Sequence, residues 1–183
     1  MPFLTCALKG LIIVAPNVFE DSRGYFFEAY NQIIFHQNGI TCNFVQDNQS
    51  RSTYGVIRGL HYQLNPYGQA KLVRVLEGEI LDLAIDIRKN SPTYGQHFSI
   101  KLSSENKKQL FVPAGFAHGF SVLSETAIVL YKCDNFYNKH SEAGFRYDDR
   151  DLQINWGIER GKEIVSEKDL QLPSFKNVIT NFE

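Results

Sequence analysis

Residues 55–88 read GVIRGLHYQLNPYGQAKLVRVLEGEILDLAIDIR, where the clearest β-pattern in the chain meets an unusual concentration of reactive side chains. Leu81, Leu83, Ile85 and Ile87 alternate with Asp82, Ala84 and Asp86, the period-two signature of a strand with one buried face. Lys71 to Leu76 reads as the preceding strand, and Glu77-Gly78 as a hairpin turn between the two, because glycine accepts the positive φ that tight turns demand. Upstream, Arg58, His61, Gln63, Gln69 and Lys71 interrupt a segment otherwise made of Val, Ile, Leu and Tyr. Polar groups on such strands point to a site.

Working outward, short strands are expected at Leu11–Val14, Cys42–Val45, Gly55–Gln63, Glu79–Arg88, His97–Leu102, Gln109–Val112, His118–Leu123 and Thr126–Cys133. Asn65-Pro66-Tyr67-Gly68, Asn90-Ser91-Pro92, Ser103 to Lys107 and Pro113-Ala114-Gly115 separate them as turns. One short helix is expected over Glu28–Gln37, with Gly39 just past its end. Ser166-Glu167-Lys168-Asp169 reads as a turn or a second short helix, and Trp156 and Ile158 as cover for the strands. The expectation is a mainly β sandwich or barrel with a few short helices, forming a single domain over residues 1–183.

With 183 residues, 43% of them hydrophobic, the chain is long enough to bury one sizeable core. Nineteen basic and twenty acidic residues leave a net charge of −1, so no global field draws in nucleic acid or an anionic membrane, and any anion site is local. Cys6, Cys42 and Cys133 are odd in number and widely spaced, which fits small apolar packing residues in a reducing cytoplasm better than a disulfide framework. The first sixteen residues, MPFLTCALKGLIIVAP, lack a basic leader and hold an apolar run too short to span a membrane. A cytoplasmic protein is expected.

Gly55, five residues, then His61 opens the pattern by which the jelly-roll barrels called cupins hold a metal, and Pro113 to His118 resembles its closing part. Such a site needs a second His two residues after the first, so that both point into the barrel, and a Glu soon after. Position 63 is Gln and no Glu follows before Glu77, so no metal is expected. The basic residues Arg58, Lys71, His118 and Lys168, gathered round one pocket, would form an anion site for phosphate or carboxylate.

Longer runs of sequence resemble the dTDP-4-dehydrorhamnose 3,5-epimerases, small dimeric cupins without a catalytic metal. They are Phe19 to Gly24 with Glu28, Gln46-Asp47-Asn48 with Ser50, Gly55 to His61, Gln69 to Val73, Ser91-Pro92-Thr93, Pro113 to Phe120, Tyr131, and Ser166 to Asp169. The resemblance implies a cupin-type jelly roll without a cofactor, acting on a dTDP-linked 4-keto-6-deoxy sugar as a homodimer. It implies that His61 is the general base, oriented by Asp169, that Tyr131 is the acid on the opposite face of the sugar, and that Lys71 sits near the C4 keto oxygen. It further assigns Arg23, Glu28, Gln46, Asn48, Arg58, His118, Glu142 and Lys168 to nucleotide-sugar contacts and Tyr137 to stacking on thymine.

The implied chemistry agrees with the residues, because a C4 ketone acidifies the hydrogens on C3 and C5. A base with an oxyanion stabiliser can then form an enolate at either carbon without a redox cofactor. Two structural expectations follow. Strict alternation places Arg58 and His61 on opposite faces although both are sent to the ligand, so a β-bulge is expected near Gly59. The aromatics between Asn17 and Tyr30 would pack poorly on one small barrel, so that segment is expected at a dimer contact, with Arg23 or Glu28 completing the partner's site. A mono-epimerase acting at C3 or C5 alone and a non-catalytic sugar-binding cupin remain the alternatives at the level of sequence.

Overall fold

The computed structural model describes residues 1–183. The first strands are β1 (Phe3–Thr5), β2 (Ile12–Val14), β3 (Phe19–Asp21) and β4 (Gly24–Phe26), followed by helix α1 (Gln32–Gln37). The central strands are β5 (Gln46–Thr53), β6 (Ile57–Gln63), β7 (Lys71–Glu77), β8 (Glu79–Asp86) and β9 (His97–Ser103). The chain continues through β10 (Gln109–Val112), β11 (Phe116–Val122), β12 (Thr126–Cys133), β13 (Glu142–Gly144) and helix α2 (Glu167–Leu170). Two antiparallel sheets, ordered β1-β2-β10-β7-β12-β5 and β13-β6-β11-β8-β9, form the expected jelly-roll sandwich, and β3-β4 stand apart as a hairpin.

Residues from both sheets meet in a core that includes Val73, Val75, Ile80, Ala84, Phe116, Phe120, Ala127 and Val129. A second cluster lies on the other face of the five-stranded sheet, where Ile57, Leu60, Tyr62, Leu83, Ile85 and Ile87 are covered by Phe145, Leu152, Trp156 and Phe182. Each such side chain contributes about 1.5–3 kcal/mol by leaving water. Hydrogen bonds fasten this cover: Ser121 Oγ donates to the Trp156 carbonyl (2.6 Å), Tyr62 Oη to Ile179 O (2.7 Å) and Thr180 Oγ1 to Ile87 O (2.9 Å). A third cluster packs Phe35 and Ile40, in and just beyond α1, against Val14, Leu72 and Phe111.

The structure corrects four sequence expectations. Strands β7 and β8 do not pair as a hairpin but belong to different sheets, so Glu77-Gly78 is a corner at which the chain crosses the sandwich. Gly78 adopts φ +78°, and a Cβ there would collide with the Thr126 carbonyl. Strand β8 is buried on both faces: Leu83, Ile85 and Ile87 meet the C-terminal cover, while Ile80, Asp82 and Ala84 turn inward between the sheets.

Residues 42–45 form no strand; pairing with β12 begins at Gln46 and runs through Thr53, a segment left unassigned because its inward residues, Gln46, Asn48, Ser50 and Ser52, are polar. Helix α1 starts at Gln32 rather than Glu28, because the Asn31 side chain caps it by accepting from the Ile33 and Ile34 amides. The bulge expected near Gly59 is present: Arg58 pairs with Phe120 and His61 with His118, with a register shift between them.

Candidate active site

Between the sheets lies a cavity of about 500 Å³ lined by Asn48, Arg58, His61, Lys71, His118, Phe120, Tyr131, Lys168 and Asp169, among others. An adjoining recess of about 280 Å³ shares Asn48, His61, Lys71 and Tyr131 and adds Gln46, Gln63, Gln69, Tyr137 and Glu142. The two sheets supply opposite walls: β6 and β11 carry Arg58, His61 and His118, while β5, β7 and β12 carry Asn48, Lys71 and Tyr131. His61 and Tyr131 therefore confront one another across the space.

The His61 imidazole lies 2.7 Å from Asp169, measured from Nε2 to Oδ1. Helix α2 places that carboxylate, because the Ser166 side chain caps the helix by accepting from the Asp169 amide at 3.1 Å. Burial alone would raise the Asp169 pKa. The hydrogen bond and charge of His61, with further bonds from Ser166 and the Gly59 backbone, outweigh it and hold the carboxyl below its usual range. Asp169 is thus a carboxylate at neutral pH and sets which ring nitrogen of His61 bears a proton.

On the facing wall, Lys71 Nζ lies 5.7 Å from the centre of the Tyr131 ring. Burial lowers the Lys71 pKa, opposed by the negative potential of Cys133, Asp82 and Glu142. Burial raises the Tyr131 pKa, so its hydroxyl keeps its proton at neutral pH as a general acid requires. Arg58 Nε donates to Ser52 Oγ at 3.0 Å, which ties the bulged strand to β5.

At the rim, Glu142 accepts from Lys168 Nζ (2.7 Å) and from Tyr137 Oη (2.9 Å). The Tyr137 ring is half exposed, as a surface for stacking a flat ring needs to be. Gln63, at the position where a metal-binding cupin would have its second His, is buried and engaged: its amide nitrogen donates to Tyr67 O (3.3 Å) and its oxygen accepts from Asn138 N (2.7 Å).

The structure therefore gathers His61, Tyr131, Asp169, Lys71, Gln46, Asn48, Arg58, His118, Tyr137, Glu142 and Lys168 around one connected space. It leaves Arg23 and Glu28 outside that lining. Arg23 pairs with Asp21 (2.6 Å) at the tip of the β3-β4 hairpin, and Glu28 accepts from Asn31 Nδ2 (3.1 Å). Sequence reasoning missed two partners. Ser52 was assigned to no element or role, and Asp82 read as the solvent side of an amphipathic strand, yet it is fully buried 2.8 Å from His118. The available signal for Asp82 was apolar residues on both faces of its strand.

Comparison with known proteins agrees with this geometry. A family model described as dTDP-4-dehydrorhamnose 3,5-epimerase matches residues 5–177. The chain is 49% identical over 168 residues to the dTDP-4-dehydrorhamnose 3,5-epimerase of Methanothermobacter thermautotrophicus, covering 91% of this chain and 90% of the relative. It is also similar to the crystal structure of the enzyme of that name from Elizabethkingia anophelis, with a TM-score of 0.92, 52% identity, and 96% and 97% of the two chains covered. A Legionella pneumophila dTDP-6-deoxy-D-glucose-3,5-epimerase, solved in complex with dTDP-4-keto-L-rhamnose, superposes with a TM-score of 0.93 at 42% identity, covering 97% and 94%. On a match that runs nearly end to end, in sequence and in fold, this chain belongs to the dTDP-4-dehydrorhamnose 3,5-epimerase family.

Proposed function

We infer that the protein is an isomerase that converts dTDP-4-dehydro-6-deoxy-D-glucose to dTDP-4-dehydro-L-rhamnose by inverting C3 and C5, a step of dTDP-L-rhamnose and surface polysaccharide biosynthesis. The observation that carries the reading is the opposition of His61, backed by Asp169, to Tyr131, beside Lys71, across a cavity with a cationic lining. His61 removes the hydrogen on the carbon next to the ketone. The electron pair moves onto the C4 oxygen, where the Lys71 ammonium offsets the charge. Tyr131 then delivers its proton to the same carbon from the far side, and solvent exchange returns both side chains to their starting states. Repetition at the second carbon completes the reaction.

Arg58, His118 and Lys168 supply positive charge for the substrate's phosphates and oxygens, Gln46, Asn48 and Glu142 supply polar contacts, and the Tyr137 ring supplies the platform for thymine. The whole chain acts as one domain, without cofactor or metal, in the cytoplasm, where its three free thiols fit. Proton NMR of the protein with the dTDP-linked 4-keto sugar in deuterated water tests the reading. Label at both C3 and C5 is expected; label at one carbon alone restricts the protein to mono-epimerisation, and absence of label removes the enzyme reading.

A homodimer completes the site in this reading. Phe19, Tyr25 and Phe26 stand exposed on the β3-β4 hairpin and Arg23 lies outside its own cavity, which is the arrangement expected of an arm that reaches into a second copy. Mixing inactive Arg23→Ala and His61→Asn proteins should regain turnover, because a mixed dimer keeps one intact site. A fully active monomer in sedimentation at assay concentration overturns the dimer.

A further inference from the structure

Asp82 is a fully buried carboxylate pointing inward between Ile80 and Ala84, both of which belong to the apolar core between the sheets. A charge withdrawn from water in such surroundings is costly unless it is compensated. One oxygen is: Oδ1 lies 2.8 Å from Nε2 of His118, itself only 6% exposed. The other, Oδ2, is buried and has no hydrogen-bond partner.

The site thus contains two histidine–carboxylate pairs, and their residues are register partners, His61 opposite His118. They differ in exposure. The His61 side chain is 31% exposed, where a proton can come and go, whereas the His118 pair is closed off. An imidazole bound through Nε2 to a carboxylate carries its proton there and leaves Nδ1 for a ligand.

We propose that Asp82 is a positioning residue of the epimerase: it fixes the tautomer and ring plane of His118, so that the other ring nitrogen is left for the ligand.

The proposal rests on the epimerase reading for the identity of the ligand, but its main test needs no turnover. In full-length protein labelled with nitrogen-15 in histidine, with the His118 signals assigned through His118→Gln, NMR reads the His118 tautomer directly, and the proton is expected on Nε2. Asp82→Ala is expected to lose that preference, because the accepting carboxylate is gone. Asp82→Asn is expected to raise KM for the dTDP-linked 4-keto sugar about tenfold or more through misorientation of His118, with a much smaller change in kcat. A residue that only supports the fold would lower the melting temperature and leave KM in place, and a wild-type His118 with its proton on Nδ1, or an unchanged KM in folded Asp82→Asn, overturns the proposal. Should these variants not fold, Asp82→Glu decides: the charge is kept but displaced by one methylene, and an unchanged KM overturns the role through His118. Wild-type protein that fails to turn over the sugar counts against the epimerase reading alone.

Discussion

Arg58 and His61 lie three positions apart on β6 and line the same cavity, because three steps along β6 span only two along β11. The core records the same shift of parity, since Ile57 and Leu60 both pack on the opposite face. Gly59 is the residue that permits it. Its φ of +133° is open mainly to glycine, and a Cβ there would stand 2.6 Å from Gly119 Cα. Gly59→Ala should therefore cost about 1–3 kcal/mol of stability and impair turnover by moving both side chains. Thermal melts and steady-state rates check this, and a variant with both values unchanged would contradict the bulge.

In the proposed reading His61 removes the proton. His61→Asn should lower both turnover and solvent-deuterium entry by about 10²- to 10⁴-fold. Asp169→Asn should act more mildly, since the imidazole stays while the charge that orients it is lost. Deuterium exchange in the two variants, compared with wild type, is the measurement. Equal loss in both would make Asp169 more than an orienting group.

Tyr131→Phe separates exchange from inversion. Without a donor on the far wall the enolate still forms and is reprotonated by His61 on the side it left. Deuterium should enter at one carbon at least with the configuration there retained, while inverted product falls sharply. Inversion at the wild-type rate would reduce Tyr131 to a wall residue.

Asp86, the last residue of β8 and outside the cavity lining, gives a stability prediction. Burial would raise its pKa, but hydrogen bonds from the Arg88 guanidinium and amide, Ser91 and Thr93 overcome this and hold it at about 2, against 3.8 for a free Asp. Because the folded value is the lower one, this contribution is complete above pH 3.8 and is lost as pH falls toward about 2. Asp86→Asn should destabilise the protein by about 1.5–3 kcal/mol at neutral pH, because the buried carboxylate loses its charge-assisted bonds to the partly exposed Arg88 and to Ser91 and Thr93. It should also flatten the acid limb of stability against pH, which denaturant melts across that window would reveal.

Most of the strands were legible because apolar alternation marks any strand with one dry face and one wet face. The exceptions fail for a physical reason. β5 turns Gln46, Asn48, Ser50 and Ser52 inward because its inner face is the wall of a ligand cavity, so it carries no hydrophobic period. β8 has two dry faces, and its aspartates read as solvent contacts although both are buried, Asp82 against the His118 imidazole and Asp86 against the Arg88 guanidinium. Gly78 carried the signature of a tight turn, but whether a turn folds a strand back within its sheet or passes it to the other depends on contacts distant in sequence. The site residues were gathered by family resemblance. Their convergence depends on a bulge, a helix cap and the facing of two sheets, none of which spacing alone specifies.

Strands β7 and β12 each set a cavity-lining side chain near one end, Lys71 and Tyr131, and continue as plain core through Val73 and Val75 or Ala127 and Val129. The same backbone is tool handle at one end and keel at the other. Substitutions in the keel should therefore register as changes in stability and substitutions at the handle as changes in what the cavity does, with little exchange between the two.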